Sequence, residues 1–167
     1  LYKIPTTGLR FFTVYGPFGR PDMAYFSFTK DIFEGKEIKI FNHGQMERDF
    51  TYVDDIVLGI YKLINKIPKE NPKWNEKNNS NSESFAPYKI YNIGNNNPVA
   101  LMKFINVLEE KIGIDANKIY MEMQAGDVLR TYADIKDLEK EINFKPNTSI
   151  EQGLSNFVNW YREYYKK

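Results

Sequence analysis

Three short stretches of this 167-residue chain hold side chains suited to gripping anions and hydroxyl groups. Arg20 stands between Gly19 and Pro21, where the backbone is constrained and the side chain cannot join a helix face. A guanidinium so placed matches a carboxylate or phosphate through a bidentate pair, and its alternative partners are a nearby acid or loop carbonyls. Arg48 precedes Asp49 on an apolar stretch whose period of two sets Arg48 and Phe50 on one side, Asp49 and Thr51 on the other. It either meets a phosphate or forms an internal pair with Asp49 or Asp55. In the stretch Gln124 to Val128, Gly126 permits close backbone approach and Asp127 can accept from vicinal hydroxyls such as those of a ribose. A plain turn with an Asx bond is the other reading.

Bulk properties remove several other chemistries. Cysteine is absent, so thiolate nucleophiles, disulfides and cysteine metal sites are excluded, and His43 is the only histidine. His43 lies in a turn and reads as a solvated turn residue. The net charge of +1 comes from 23 basic and 22 acidic side chains spread along the chain, giving no footprint for nucleic acid. No apolar run reaches membrane-span length, and a cytoplasmic location is the expectation. The abundant Tyr and Phe read mainly as packing. Leu1 leads straight into a strand, so the chain reads as a piece of something longer, with a processed terminus as the alternative.

The elements that must position these residues alternate between strand and helix. Residues 6–14 read as a buried strand ending at Gly16-Pro17, and Asp22 as the cap of a helix over 23–34 that Gly35 ends. A strand over 37–41, turn chemistry at 42–44, an extended 48–52, and a helix from Asp54-Asp55 follow, the last with a stripe of Ile56, Ile60, Leu63 and Ile64. Residues 68–87 are rich in Asn, Lys, Glu and Ser and read as a flexible surface insertion. Beyond it come a strand over 88–93, a helix over 101–112, a strand over 119–123, a short helix over 134–141, and a capping box at 148–151 opening a final helix. This is an α/β pattern forming one domain over 1–167. No GxGxxG follows any strand, so the dinucleotide-binding turn is missing.

Taken in order, TTGLRFFTVYGPFGRPDMA, RDFTYVDDIVLGI, YNIGNNNPVALMKFI, QAGDV with TYAD, and SIEQGLSNFVNWYREYY resemble the C-terminal half of the extended short-chain dehydrogenase/reductase family, and within it the UDP-glucuronate 4-epimerases. The resemblance covers nearly all of the chain outside 68–87. It implies a Rossmann-like fold, here without the dinucleotide-binding half, and an NAD-dependent enzyme. Such an enzyme oxidises C4 of a UDP-sugar to a ketone, lets the intermediate rotate, and returns hydride to the other face. It also implies a homodimeric parent, and surface-polysaccharide precursors as products. The family's Tyr-x-x-x-Lys pair and glycine fingerprint precede the point matching Leu1, so neither is expected here, and the fragment is expected to be inactive alone.

By the same resemblance, Phe11 and Phe12 wall the nicotinamide, and Thr13 lies next to the sugar and with Arg20 binds a uronate carboxylate. The backbone of Ile38, Lys39 and Phe41 reads the uracil edge, Arg48 binds the diphosphate and Asp127 the ribose. Gln124 stands where many relatives use arginine. Two other readings stay open: part of a UDP-glucuronate decarboxylase or nucleotide-sugar 4,6-dehydratase, or a non-catalytic nucleotide-sugar-binding or interaction fragment.

Overall fold

The computed structural model describes residues 2–75, 77 and 81–167; the expectation about Leu1 and the centre of the 68–87 insertion lie outside them. The long strand expected over residues 6–14 is two strands, β1 (Thr6–Phe11) and β2 (Thr13–Tyr15). The reason is a change of partner. β1 runs parallel to β6 (Tyr88–Ile93) and β2 parallel to β5 (Phe50–Tyr52). At the joint, Phe12 N donates to Ile93 O at 3.4 Å, whereas Thr13 N donates to Asp49 O at 3.1 Å. The chain thus switches strand partner at the carboxyl end of β1, the end at which open α/β sheets bind ligands.

Two further pairs complete the described strands. β3 (Glu37–Ile40) runs parallel to β8 (Asn117–Tyr120), and β4 (Glu47–Arg48) antiparallel to β7 (Val99–Ala100). Five helices cover them: α1 (Ala24–Phe33), α2 (Val53–Leu63), α3 (Leu101–Ile112), α4 (Lys136–Ile142) and α5 (Ile150–Tyr165). One core gathers Tyr15, Phe26, Phe50, Phe104 and Phe157 between α1, α3 and α5. A second gathers Ile56, Ile93, Ile135 and Leu138 where α2 and α4 meet β6.

Several local expectations need correction. Asp22 makes no cap bond to α1, whose N-cap is Met23, because its carboxylate is engaged by Arg20. Ile64 leaves the apolar stripe of α2 and is 65% exposed, since its spacing puts it on the face of Val57 and Tyr61, away from Ile56 and Leu63. The α5 cap moves by one residue: Ser149 Oγ accepts from Gln152 N at 3.2 Å. In the insertion, Ile90 N donates to Ser82 O at 2.8 Å and Glu83 bridges to Lys89, so residues 82–83 lie along β6, while Trp74 packs near Phe85. No described helix is long and apolar enough to cross a membrane.

Candidate functional site

A cavity of about 680 Å³ opens among α1, β3, β4 and the 124–127 turn, and it is lined by Thr13, Lys39, Phe41, Arg48, Gln124 and Asp127. These residues come from four separated segments, and each arrives by a simple local rule. In β3 the side chains alternate, so Ile38 and Ile40 enter the core while Glu37 and Lys39 face out. Ile38 therefore offers only its backbone. Among the described residues β3 pairs with β8 alone, which leaves the backbone groups of its other edge available to a planar ligand. Phe41 follows in a tight turn, where Asn42 and His43 take positive φ and Gln45 N closes onto Asn42 O.

Arg48 leaves β4 toward the cavity and meets Asp127, with Nη2 at 2.6 Å from Oδ1. Nη1 donates to Glu47 O at 3.0 Å, which fixes the plane of the guanidinium. Neither of the internal partners expected from sequence, Asp49 or Asp55, is used. Asp127 is presented by a turn in which Gly126 has φ +84°, Asp127 N reaches Gln124 O, and Val128 N donates to Asp127 Oδ1. The turn is held against β4 by Glu47 N to Leu129 O at 2.9 Å and Thr131 N to Glu47 O at 3.2 Å. Both charged groups are partly buried, which strengthens the pair relative to an exposed one.

Arg20 does not line the cavity. It forms a bidentate pair with Asp22, through Nε to Oδ1 at 3.0 Å and a second bond from Nη2, and both side chains are largely exposed. Asp22 does line the cavity, and the Arg20 guanidinium holds its carboxyl below the ordinary aspartate range. The loop that carries the pair is anchored by Phe18, whose ring lies 5.1 Å from that of Trp160 on α5. Sequence reasoning saw Asp22 only as a cap; its signal as a partner was the spacing of two residues from Arg20.

Asp49 was also missed as more than a neighbour of Arg48. It is fully buried and accepts from three backbone N–H groups. Burial pushes its carboxyl above the ordinary range, against the opposing pull of the backbone donors. A Tyr-x-x-x-Lys spacing, expected to be absent, occurs at Tyr132 to Lys136. It is not a catalytic pair in this geometry: Tyr132 is 55% exposed under Arg130, and Lys136 starts α4 beside Asp134, neither of them on the cavity. Among the described residues no cluster of acids or histidine is arranged to hold a metal ion.

Comparison with known proteins decides the family. The profile of the NAD dependent epimerase/dehydratase family matches residues 1–94. The chain belongs to that family. Protein CapI of Staphylococcus aureus is 56% identical over the whole chain, which spans 50% of CapI. A probable UDP-glucuronate 4-epimerase of Rhizobium meliloti is 45% identical, again over the whole chain and 49% of the relative. The crystal structure of UDP-glucuronic acid 4-epimerase from Bacillus cereus with UDP-glucuronic acid and NAD is similar at a TM-score of 0.80 and 30% identity, covering 98% of this chain and 47% of that one. The chain thus spans about half the length of the curated relatives it matches, as one half of an extended short-chain dehydrogenase/reductase fold.

The family is NAD-dependent. Phe11 is half-exposed at the carboxyl end of β1, and Phe12 lies beside Gly94, where a Cβ would stand 3.4 Å from its ring. Phe12 packs against the second core, and neither ring lines the cavity. The phosphate-binding glycine turn is not among the 167 residues.

Proposed function

We propose that these residues form the nucleotide-sugar-binding half of an NAD-dependent UDP-glucuronate 4-epimerase, which interconverts UDP-glucuronate and UDP-galacturonate through a 4-ketone. The observation that carries this reading is the convergence of Arg48, Asp127, Lys39, Phe41 and Thr13 on one cavity. Arg48 offers the diphosphate a guanidinium already oriented by backbone carbonyls, and Asp127 offers the ribose hydroxyls an acceptor. The open edge of β3 with Phe41 offers the uracil hydrogen-bonding groups and a stacking face. Gln124 adds a neutral donor near the phosphates, where a charged residue would bind more tightly.

NAD, when bound, supplies a reversible hydride acceptor. Phe11 and Phe12 would hold its nicotinamide ring and exclude water from it. Arg20 reads the substrate class: a uronate carboxylate can replace Asp22 as its partner, with the Thr13 hydroxyl as a second donor, whereas a neutral hexose cannot. The residues by themselves are expected to bind substrate parts without turnover. The whole enzyme is proposed to be a cytoplasmic homodimer that serves surface-polysaccharide synthesis.

Calorimetry on a full-length enzyme carrying these residues tests the reading. UDP-glucuronate should bind better than UDP-glucose, and Arg20→Ala should remove about 2 kcal/mol of that preference. Equal binding of both sugars, unaltered by Arg20→Ala, would refute a carboxylate-reading role.

A further inference from the structure

Asp49 does not line the cavity, yet it is bonded to Thr13 and to the 131–133 stretch that follows the Asp127 turn, two of the segments that carry or adjoin the cavity's working groups. Its carboxylate Oδ1 accepts from Asn95 N at 3.0 Å, in the loop that follows β6. Oδ2 accepts from Asn96 N at 3.1 Å and from Ala133 N at 2.9 Å, the latter on the segment descending from Asp127. Its own N–H donates to Thr131 Oγ1 at 3.1 Å, and its carbonyl accepts from Thr13 N at 3.1 Å. The next residue back is Arg48. Gly94 lets the loop close over this group, since a Cβ there would stand 2.4 Å from Cβ of Ala133 and 3.2 Å from Asp49 Oδ2.

A buried carboxylate is costly unless hydrogen bonds compensate it, and packing alone would be served by an apolar residue. Here an acceptor-only group is required: N–H donors arrive from two loops, and an amide in its place would turn an NH₂ toward at least one of them. The stretch held at Ala133 and Thr131 leads directly from Asp127, and the strand held at Thr13 carries a cavity-lining residue.

We propose that Asp49 is a positioning residue that fixes the separation between the nucleotide grip, Arg48 with Asp127, and the reacting end at Thr13 and the carboxyl ends of β1 and β6. This rests on the UDP-sugar reading above. UDP alone engages the grip, so its binding is indifferent to that separation. Turnover is not, because the sugar C4 must be placed relative to both ends at once.

The test uses the full-length enzyme with Asp49→Asn. Thr131→Val, which keeps the carboxylate but removes the acceptor of Asp49 N–H, serves if the first variant fails to fold. Measured per folded, NAD-loaded enzyme, kcat for UDP-glucuronate should fall at least tenfold in Asp49→Asn and about threefold in Thr131→Val, with the Kd for UDP within threefold of wild type. A lowered melting temperature with unchanged kcat would overturn the proposal, as would parallel loss of UDP binding and turnover. A wild-type enzyme that fails to turn over UDP-glucuronate would overturn the functional reading and this proposal with it, a result seen without any substitution.

Discussion

Arg48 Nη2 donates to Asp127 Oδ1 at 2.6 Å across 79 residues of sequence. The two groups assigned to diphosphate and ribose thus hold each other in the free protein, and ligand binding exchanges one charge-assisted bond for others instead of ordering two loose side chains. Removing either member should have opposite effects on different parts of UDP. Arg48→Ala should weaken UDP by about 1.5–3 kcal/mol and uridine little. Asp127→Asn should weaken uridine while leaving inorganic pyrophosphate bound as well as, or better than, in wild type. Calorimetry with the three ligands separates these cases, and uniform losses would show that the pair is only a structural tie.

Arg20 and Asp22 make the second prediction, one of titration. Asp22 is held low chiefly by its hydrogen bonds from Arg20, so it loses a proton more readily folded than unfolded. The sign follows: the pair's contribution is present above the unfolded aspartate pKa and is lost as pH falls through the lower folded value. Carbon-detected NMR of the Asp22 carboxyl should show a depressed midpoint that Arg20→Ala returns to the ordinary range. Saturating UDP-glucuronate should raise it as well, because the substrate carboxylate takes the guanidinium, and UDP-glucose should not. A midpoint indifferent to UDP-glucuronate would mean that Arg20 never leaves Asp22.

How much of this was legible in the sequence depends on range. Helix α3 fell where the 3.6-residue period of Leu101, Phe104, Ile105, Leu108 and Ile112 put it, and β6 where its β-branched and aromatic run put it. Those signals are local. The division of the first strand at Phe12 was not visible, because it arises from a change of hydrogen-bond partner, Ile93 to Asp49, far along the chain. Thr13, Lys39, Phe41, Arg48, Gln124 and Asp127, drawn from the resemblance, line one cavity; Phe11, Phe12 and Ile38 do not, and Arg20 stands outside it, since the acid two residues on captures it. Asp49 carried only the appearance of a charge beside another charge. Its role comes from backbone N–H groups of loops at 95–96 and 133, which composition cannot reveal.

Two glycines in helices give a contrast in packing. A Cβ on Gly153 of α5 would stand 2.6 Å from Cζ of Tyr15, a ring that is 1% exposed and packed edge-on by Tyr25, Phe50, Tyr52 and Phe104. On Gly59 of α2 the nearest atom would be 3.5 Å away, an ordinary contact with Phe144. Gly59→Ala should therefore stabilise by up to about 1 kcal/mol through helix propensity. Gly153→Ala should destabilise by roughly 1–3 kcal/mol through overpacking, less the same propensity gain. Urea denaturation of both variants decides it, and a stabilising Gly153→Ala would mean that Tyr15 has room to move.

The last prediction concerns the 167 residues expressed alone. Among the described residues β1 is paired on one edge only, by β6, which leaves a row of backbone donors and acceptors open. On α2, Val57 and Tyr61 are 57% and 71% exposed, and Ile64, 65% exposed, continues their stripe just past the helix end. Edge and stripe together are what a chain shows when further sheet and helix normally cover it. Alone at tens of micromolar, the 167 residues should self-associate in sedimentation equilibrium, with a mass that rises with concentration. Tyr61→Glu with Ile64→Lys should lower that association without unfolding the core, since both positions are exposed. Joining the chain to the other half of a family member should abolish association through this face. A concentration-independent monomer of the unmodified 167 residues would show that the edge is protected without any partner.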